Sequence, residues 1–130
     1  MLAVKISDME PNRGFLAVDL RHVLGCLGSR ALASEWRVRD VWATGEVASA
    51  LENLNEQSAV SGSALHDLAN RVNQVIDGIF TGFDPGSTTA WVVIEAVDST
   101  YYAVHSPDTT VLDTIRQGFR DVSDYDQPVC

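Results

Sequence analysis

The chain has 130 residues, 45% of them hydrophobic, and a formal net charge of −9 at pH 7. This length suits one domain and this composition excludes a disordered chain, while no apolar run approaches the roughly 20 residues of a membrane-spanning helix. We therefore expect a soluble α+β protein with one domain over residues 1–122 and an exposed acidic tail over 123–130.

The N-terminal part of the chain predicts a strand followed by a helix. Apolar and other side chains alternate over residues 2–6, which is typical of a strand. Apolar side chains over residues 16–27 instead follow helical spacing, and Gly28 is a suitable helix stop. Because these residues also lack the pattern of a signal peptide, we expect a cytoplasmic protein.

A second strand is predicted over residues 36–42. Trp36 and Trp42 fall on one face by simple alternation, and Arg37 and Arg39 fall on the other. Aromatic and basic side chains together can bind nucleic acid, but the overall charge opposes phosphate binding. We therefore expect no direct nucleic-acid partner, and we place the tryptophans in the core.

Two helices are predicted in the middle of the chain. The first is short and covers residues 48–54, and Ser61 or Ser63 caps the second. Apolar side chains over residues 65–79 repeat with a period of about 3.6, so the second helix is expected to continue as far as Ile79.

The last third of the chain predicts a hairpin and a helix. Residues 90–97 have the composition of a buried strand, Asp98-Ser99 suits a tight turn, and residues 100–105 form the returning strand. Ser106-Pro107 then begins a helix that extends to Phe119. Together the elements predict a small, largely antiparallel sheet with a C-terminal β-hairpin, packed against three to four helices.

No motif for catalysis is evident. The pair His66-Asp67 resembles the histidine–aspartate pair of metal phosphohydrolases, but His22 and His105 occur in no matching context. Cys26 lies in a predicted helix and is interpreted as core, and with Cys130 it makes a poor disulfide framework. We predict no catalytic residue, no metal site and no cofactor.

Two further segments and one residue are candidate sites. The glycine-rich stretch 82–87 lacks the lysine of a phosphate-binding loop, and the carboxylates of 121–126 lack the spacing of a calcium loop. Glu95 interrupts an apolar strand, so it either points outward or is buried with a partner such as an arginine of the 36–42 strand.

The negative charge is confined to the last two-thirds of the chain. Residues 1–47 contain six acidic and six basic side chains, whereas residues 48–130 contain twelve acidic side chains and three arginines. An acidic surface accelerates encounter with a basic protein, although acidity also serves solubility alone. The predicted contact residues for a basic protein partner are Asp77, Phe83, Asp84, Asp98, Asp121, Asp124, Tyr125 and Asp126.

About half of the chain resembles small bacterial toxin-immunity proteins. The resemblance is carried by Ser61-Gly62, by residues 74–80 and by residues 91–99. It implies a cytoplasmic binding protein that neutralises a cognate toxin, often a basic nuclease, through a protein–protein interface, with no activity as an enzyme.

Two other classes of function remain open. The three tryptophans and the apolar helices suit a small subunit of a larger assembly. A small hydrolase or ligand-binding protein would instead use His66, Asp67 and neighbouring carboxylates.

Overall fold

The computed structural model describes residues 1–12 and 14–129. Within these residues the chain forms five helices and one sheet of seven strands. The strands are β1 (Leu2–Ile6), β2 (Glu35–Thr44), β3 (Val60–Ser61), β4 (Gln74–Phe83), β5 (Ala90–Val97), β6 (Tyr101–Ser106) and β7 (Val122–Tyr125). The helices are α1 (Leu20–Leu27), α2 (Ser29–Ala33), α3 (Ala48–Glu52), α4 (Gly62–Arg71) and α5 (Thr109–Gly118). The α+β class is confirmed, with more helices than the three to four expected; Cys130 lies outside the described residues.

The sheet is antiparallel throughout, with the strand order β3-β2-β4-β5-β6-β1-β7. The expected hairpin forms as β5 and β6, but it occupies the middle of the sheet and is followed in the chain by α5 and β7. Residues 123–125, assigned above to the exposed tail, instead pair with residues 3–5 of β1. Strand β7 therefore pairs with the edge of β1 that β6 leaves unpaired.

Strand β4 replaces the second half of a predicted helix. Helix α4 ends at Arg71, and the chain then becomes extended and pairs with β2 on one side and β5 on the other. The β-branched residues of this segment fit a 3.6-residue period but favour a strand. Gly82 shows why the strand packs well, because a Cβ atom there would lie 2.9 Å from Val92 Cγ1 and 3.0 Å from Trp36 Cη2.

The helices pack against one face of the sheet and form a single core with it. Two tryptophans lie at the centre, with the rings of Trp36 and Trp91 edge-to-face and 6.5 Å apart. Each buried indole N–H has an acceptor: Trp36 Nε1 donates to the Ala31 carbonyl and Trp91 Nε1 to Ser34 Oγ. Such pairing removes the cost of burying these donors.

The opposite face, which we call the open face, is not part of this core. Its central residues Ile79, Val93 and Ala103 are buried, yet they lie outside the core cluster. Larger side chains surround them, among them the half-buried Lys5 and Tyr101.

A bulge at Asp40 decides which side chains β2 presents on each face. The φ angle of Asp40 is 58°, and the pairing with β4 shifts register just before Trp42, which lies opposite Asp77. An extra residue reverses the alternation of a strand. Trp36 and Val38 therefore face the core, whereas Trp42 lies on the open face and is 56% exposed. The expectation that Trp42 shares the apolar face of Trp36 is wrong.

Asp8 follows β1 in the chain and binds the backbone just before β7 through its carboxylate. Its side chain is 7% exposed, and its oxygens accept hydrogen bonds from the backbone N–H groups of Arg120 and Asp121, at 2.9 and 2.6 Å. Burial by itself raises the pKa of Asp8, but these hydrogen bonds and the Arg120 guanidinium outweigh it and hold the pKa below its ordinary value.

We expect Asp8→Asn to lower the free energy of unfolding at pH 7 by about 1–3 kcal/mol, because the amide has one acceptor oxygen, whereas the two carboxylate oxygens of Asp8 accept from the Arg120 and Asp121 N–H groups. Since the folded-state pKa is depressed, the stabilisation by Asp8 is present above the ordinary aspartate pKa and is lost as pH falls below about 4. Urea unfolding from pH 7 to pH 3 measures both effects. The exposed Asp113→Asn serves as control, and a wild-type advantage that stays constant down to pH 3 would contradict the assignment.

Candidate functional site

The predicted contact residues do not form one surface, because they divide between the two ends of the sheet. The β5–β6 turn lies at one end, and Asp77, Asp98 and Asp121 lie near that end. Asp84 follows β4 and Asp126 follows β7, so both lie at the opposite end. A single partner surface cannot use all of them equally.

Two of the predicted aspartates pair with arginines of the same chain. Both carboxylate oxygens of Asp84 accept from Arg30, at 3.0 and 2.8 Å, and this pairing lowers the pKa of Asp84. Asp124 Oδ1 accepts from Arg116 Nη2 at 2.9 Å, which directs it toward helix α5. These charges are already partly compensated and attract a basic partner less strongly than an unpaired carboxylate would.

The two predicted aromatic contacts are half-buried on the open face. The Tyr125 hydroxyl lies 3.1 Å from that of Tyr101, and its ring lies edge-on to the His105 ring. Phe83 lines a shallow depression of about 290 Å³ together with Arg37 and Arg39. Both rings therefore contribute to covering the open face.

An exposed tryptophan with neighbouring carboxylates lies on the open face near the β5–β6 turn. Trp42 pairs across strands with Asp77, and Asp77 Oδ1 accepts a hydrogen bond from the Asp98 N–H at 2.8 Å. Asp40 forms the adjacent bulge, and its carboxylate accepts from Arg39 at 3.0 Å. We call Asp40, Trp42, Asp77 and Asp98 together the Trp42 patch.

The backbone around the Trp42 patch adopts conformations that non-glycine residues rarely take. Asp40, Asp98 and Ser99 have φ angles of 58°, 50° and 59°. The left-handed region costs roughly 1–2 kcal/mol per residue, less for aspartate. The Asp98 and Ser99 N–H groups donate to Asp77 Oδ1 and the Ile76 carbonyl, so both hydrogen bonds tie this turn to β4.

Sequence reasoning named Asp77 and Asp98 but missed Trp42. Strict alternation along β2 assigns that residue to the core. The signal that could have corrected this is Asp40, because aspartate is depleted in strands but tolerates the left-handed conformation of a bulge.

A buried ionisable pair lies in the centre of the open face. Glu95 Oε1 and His105 Nε2 are 2.6 Å apart, and the two residues are 1% and 3% exposed. Of the two alternatives for Glu95, the buried one is correct, although its partner is a histidine of β6 rather than an arginine of β2.

The remaining candidate catalytic residues are engaged locally. His66 Nδ1 lies 2.7 Å from the Gly62 carbonyl, and Asp67 pairs with Arg71 one helical turn away. Ser61 caps α4 by accepting from the Ala64 N–H, as predicted. Burial raises the pKa of the Cys26 thiol, which disfavours the reactive thiolate.

The described residues hold neither a cluster of metal ligands nor a membrane-crossing helix, and comparisons with known proteins give no match. Among residues 1–12 and 14–129, no three histidine, cysteine or acidic side chains are grouped so that they could hold a metal ion. In the same part of the chain, no helix has the length and apolar character needed to cross a membrane. Comparison with protein-family models, curated proteins and solved structures found no match.

The contribution of the Glu95–His105 pair to stability can be tested directly. We expect Glu95→Leu alone to lower the free energy of unfolding by about 3 kcal/mol, because His105 is left buried without its partner. The double variant Glu95→Leu/His105→Leu should recover much of this loss, since two apolar side chains can replace a buried pair. Chemical denaturation of the four proteins in this cycle measures the coupling, and additive losses would show that the two groups do not interact.

Proposed function

We propose that this protein is a cytoplasmic inhibitor of the toxin-immunity kind, which neutralises a basic protein toxin by binding it through the Trp42 patch. The observation that supports this most strongly is the exposure of Trp42 on strand β2 of the sheet. Tryptophan is the residue type most enriched among energetically dominant interface contacts. At 56% exposed, Trp42 offers a partner a large apolar side chain on a surface that also presents Asp77.

The carboxylates of the patch determine the chemistry of the partner. Asp77 lies opposite Trp42 on the neighbouring strand and accepts the Asp98 N–H, and the overall charge of −9 reinforces the negative potential of these aspartates. Lysine or arginine side chains on the partner would meet these carboxylates while an apolar pocket accepts Trp42. A nuclease toxin has basic side chains where it binds phosphate, and carboxylates spaced like phosphate groups can occupy that site.

The patch is also preorganised. Asp77 lies on β4, which pairs with β2 and β5, and its hydrogen bond to the Asp98 N–H fixes the β5–β6 turn against β4. A surface that needs no ordering loses less conformational entropy when it binds. This favours a tight inhibitor over a transient contact.

Asp77 and Asp98 remain partner contacts in this proposal, and Trp42 is added to them. Asp84 and Asp124 have a smaller role, because Arg30 and Arg116 already pair with them. Asp40 also pairs with an arginine, Arg39, so its main role is to form the bulge that exposes Trp42. The other predicted contacts, Phe83, Asp121, Tyr125 and Asp126, lie outside the patch.

The test begins with capture of partners from the native organism at low salt, followed by reconstitution with the purified candidate. We expect a stoichiometric complex with a basic toxin whose activity is inhibited, and an affinity that falls as salt rises. Trp42→Ala should weaken the purified complex at least tenfold, and Asp77→Asn/Asp98→Asn should weaken it and flatten its salt dependence.

Matched controls lie on the helical side of the molecule. Leu32→Ala removes another exposed apolar side chain, 49% exposed, and Asp113→Asn removes an exposed carboxylate; both should leave binding unchanged. Equal affinity of wild type and Trp42→Ala, or a bound partner whose activity is unaffected, would refute the proposal. A large complex of many subunits would favour the assembly hypothesis instead.

A further inference from the structure

An open depression of about 550 Å³ lies beside the beginning of helix α1 and shares no residue with the Trp42 patch. We call it the Asp19 depression. The residues that line it and matter here are Glu10, Phe15, Asp19, Arg21, His22 and Asn73. Its size lies in the range of small-molecule sites, and it combines an apolar surface with a few converging polar groups.

Asp19 is the unusual residue of this depression. It is 6% exposed, and its Oδ1 accepts from the Val75 N–H at 2.9 Å and from the Tyr102 hydroxyl at 3.1 Å. Its Oδ2 is buried without a hydrogen-bond donor among the described residues. Burial raises the pKa of Asp19 and outweighs the hydrogen bonds from Val75, Tyr102 and the Leu20 N–H and the charge of Arg21, all of which lower it.

The nearest cation does not complete the hydrogen bonding of Asp19. Arg21 Nη1 lies 3.5 Å from Oδ2, and its side chain remains 38% exposed. This distance gives an ion pair but a poor hydrogen bond. Arg21 therefore covers Oδ2 weakly and could move from it to another carboxylate.

The remaining groups supply an acceptor, a donor and an apolar surface. His22 Nδ1 accepts from the Asp19 N–H at 2.9 Å, so the ring proton lies on Nε2. Burial and the charge of Arg21 lower the pKa of His22, which keeps the ring neutral. Glu10 adds a second carboxylate, and Phe15 adds a ring that is 52% exposed.

We propose that the Asp19 depression binds a free α-amino acid. The ammonium group donates to Asp19 Oδ2 and Glu10, the carboxylate pairs with Arg21, and the side chain contacts Phe15. A simple amine fits less well, because a cation that takes Oδ2 displaces Arg21 and leaves that guanidinium unpaired. An amphoteric ligand supplies a carboxylate for Arg21 at the same time, so every charge keeps a partner.

The test is a titration of isotope-labelled protein with each of the twenty protein amino acids up to about 10 mM, followed by two-dimensional NMR. We expect at least one to give saturable shifts of the amide signals of residues 17–22 and 73–74. Its N-acetyl derivative and its carboxamide should each bind at least tenfold more weakly, since one loses the ammonium and the other the carboxylate.

Variants then assign the contacts. Asp19→Asn keeps an oxygen for Val75 and Tyr102, so the fold should persist while binding weakens at least tenfold. Arg21→Gln should also weaken binding, and this result tests the carboxylate contact even if the Asp19 variant does not fold. Trp42→Ala should bind as tightly as wild type. The proposal is overturned if no amino acid shifts these signals, if either derivative binds as well as the parent, or if Arg21→Gln binds as tightly as wild type.

Discussion

The helices cover only one face of the sheet, so the open face has to be completed by its own side chains. In its centre the chain buries Ile79 and Val93 beside the Glu95–His105 pair, whose polar atoms satisfy each other at 2.6 Å. Where the sheet approaches the β5–β6 turn, the bulge at Asp40 turns an indole onto the same face. One-sided coverage thus accounts for both unusual features of this surface, a buried ionisable pair and an exposed tryptophan.

Several aspartates of this fold join segments of the chain by accepting backbone hydrogen bonds, in addition to supplying negative charge. Asp8 accepts two backbone N–H groups that precede β7, Asp19 accepts the Val75 N–H of β4, and Asp77 accepts the N–H of the β5–β6 turn. A carboxylate can satisfy several donors at once, which suits chain crossings where backbone groups have no strand partner. Part of the acidity is therefore structural, and total charge alone identifies few contact residues.

Much of the fold could be predicted because its signals are local. The β5–β6 hairpin follows from a strand composition and a turn that adjoin in sequence. Helix α5 forms after it as predicted, although Ser106 ends β6 and the N-cap is Asp108 rather than Ser106. Strand β4 could not be predicted, because its β-branched residues fit both the helical period and the strand period. Its pairing partner β2 is also distant in the sequence. The candidate site divides in the same way: Asp77 and Asp98 were named from the sequence as contacts, whereas Trp42 depends on a bulge that simple alternation conceals.

The central claim is that the Asp40 bulge exposes Trp42 among carboxylates, and collisional quenching of tryptophan fluorescence tests it most directly. Trp36 and Trp91 are 0% and 4% exposed, so Trp42 should supply nearly all of the quenchable emission. Relative to its quenching of free tryptophan, cesium should quench this emission more effectively than iodide does, and the difference should shrink as salt screens the carboxylates. Trp42→Phe should remove the quenchable fraction. Equal or stronger relative quenching by iodide at low salt, or an accessible fraction that survives in Trp42→Phe, would contradict the account.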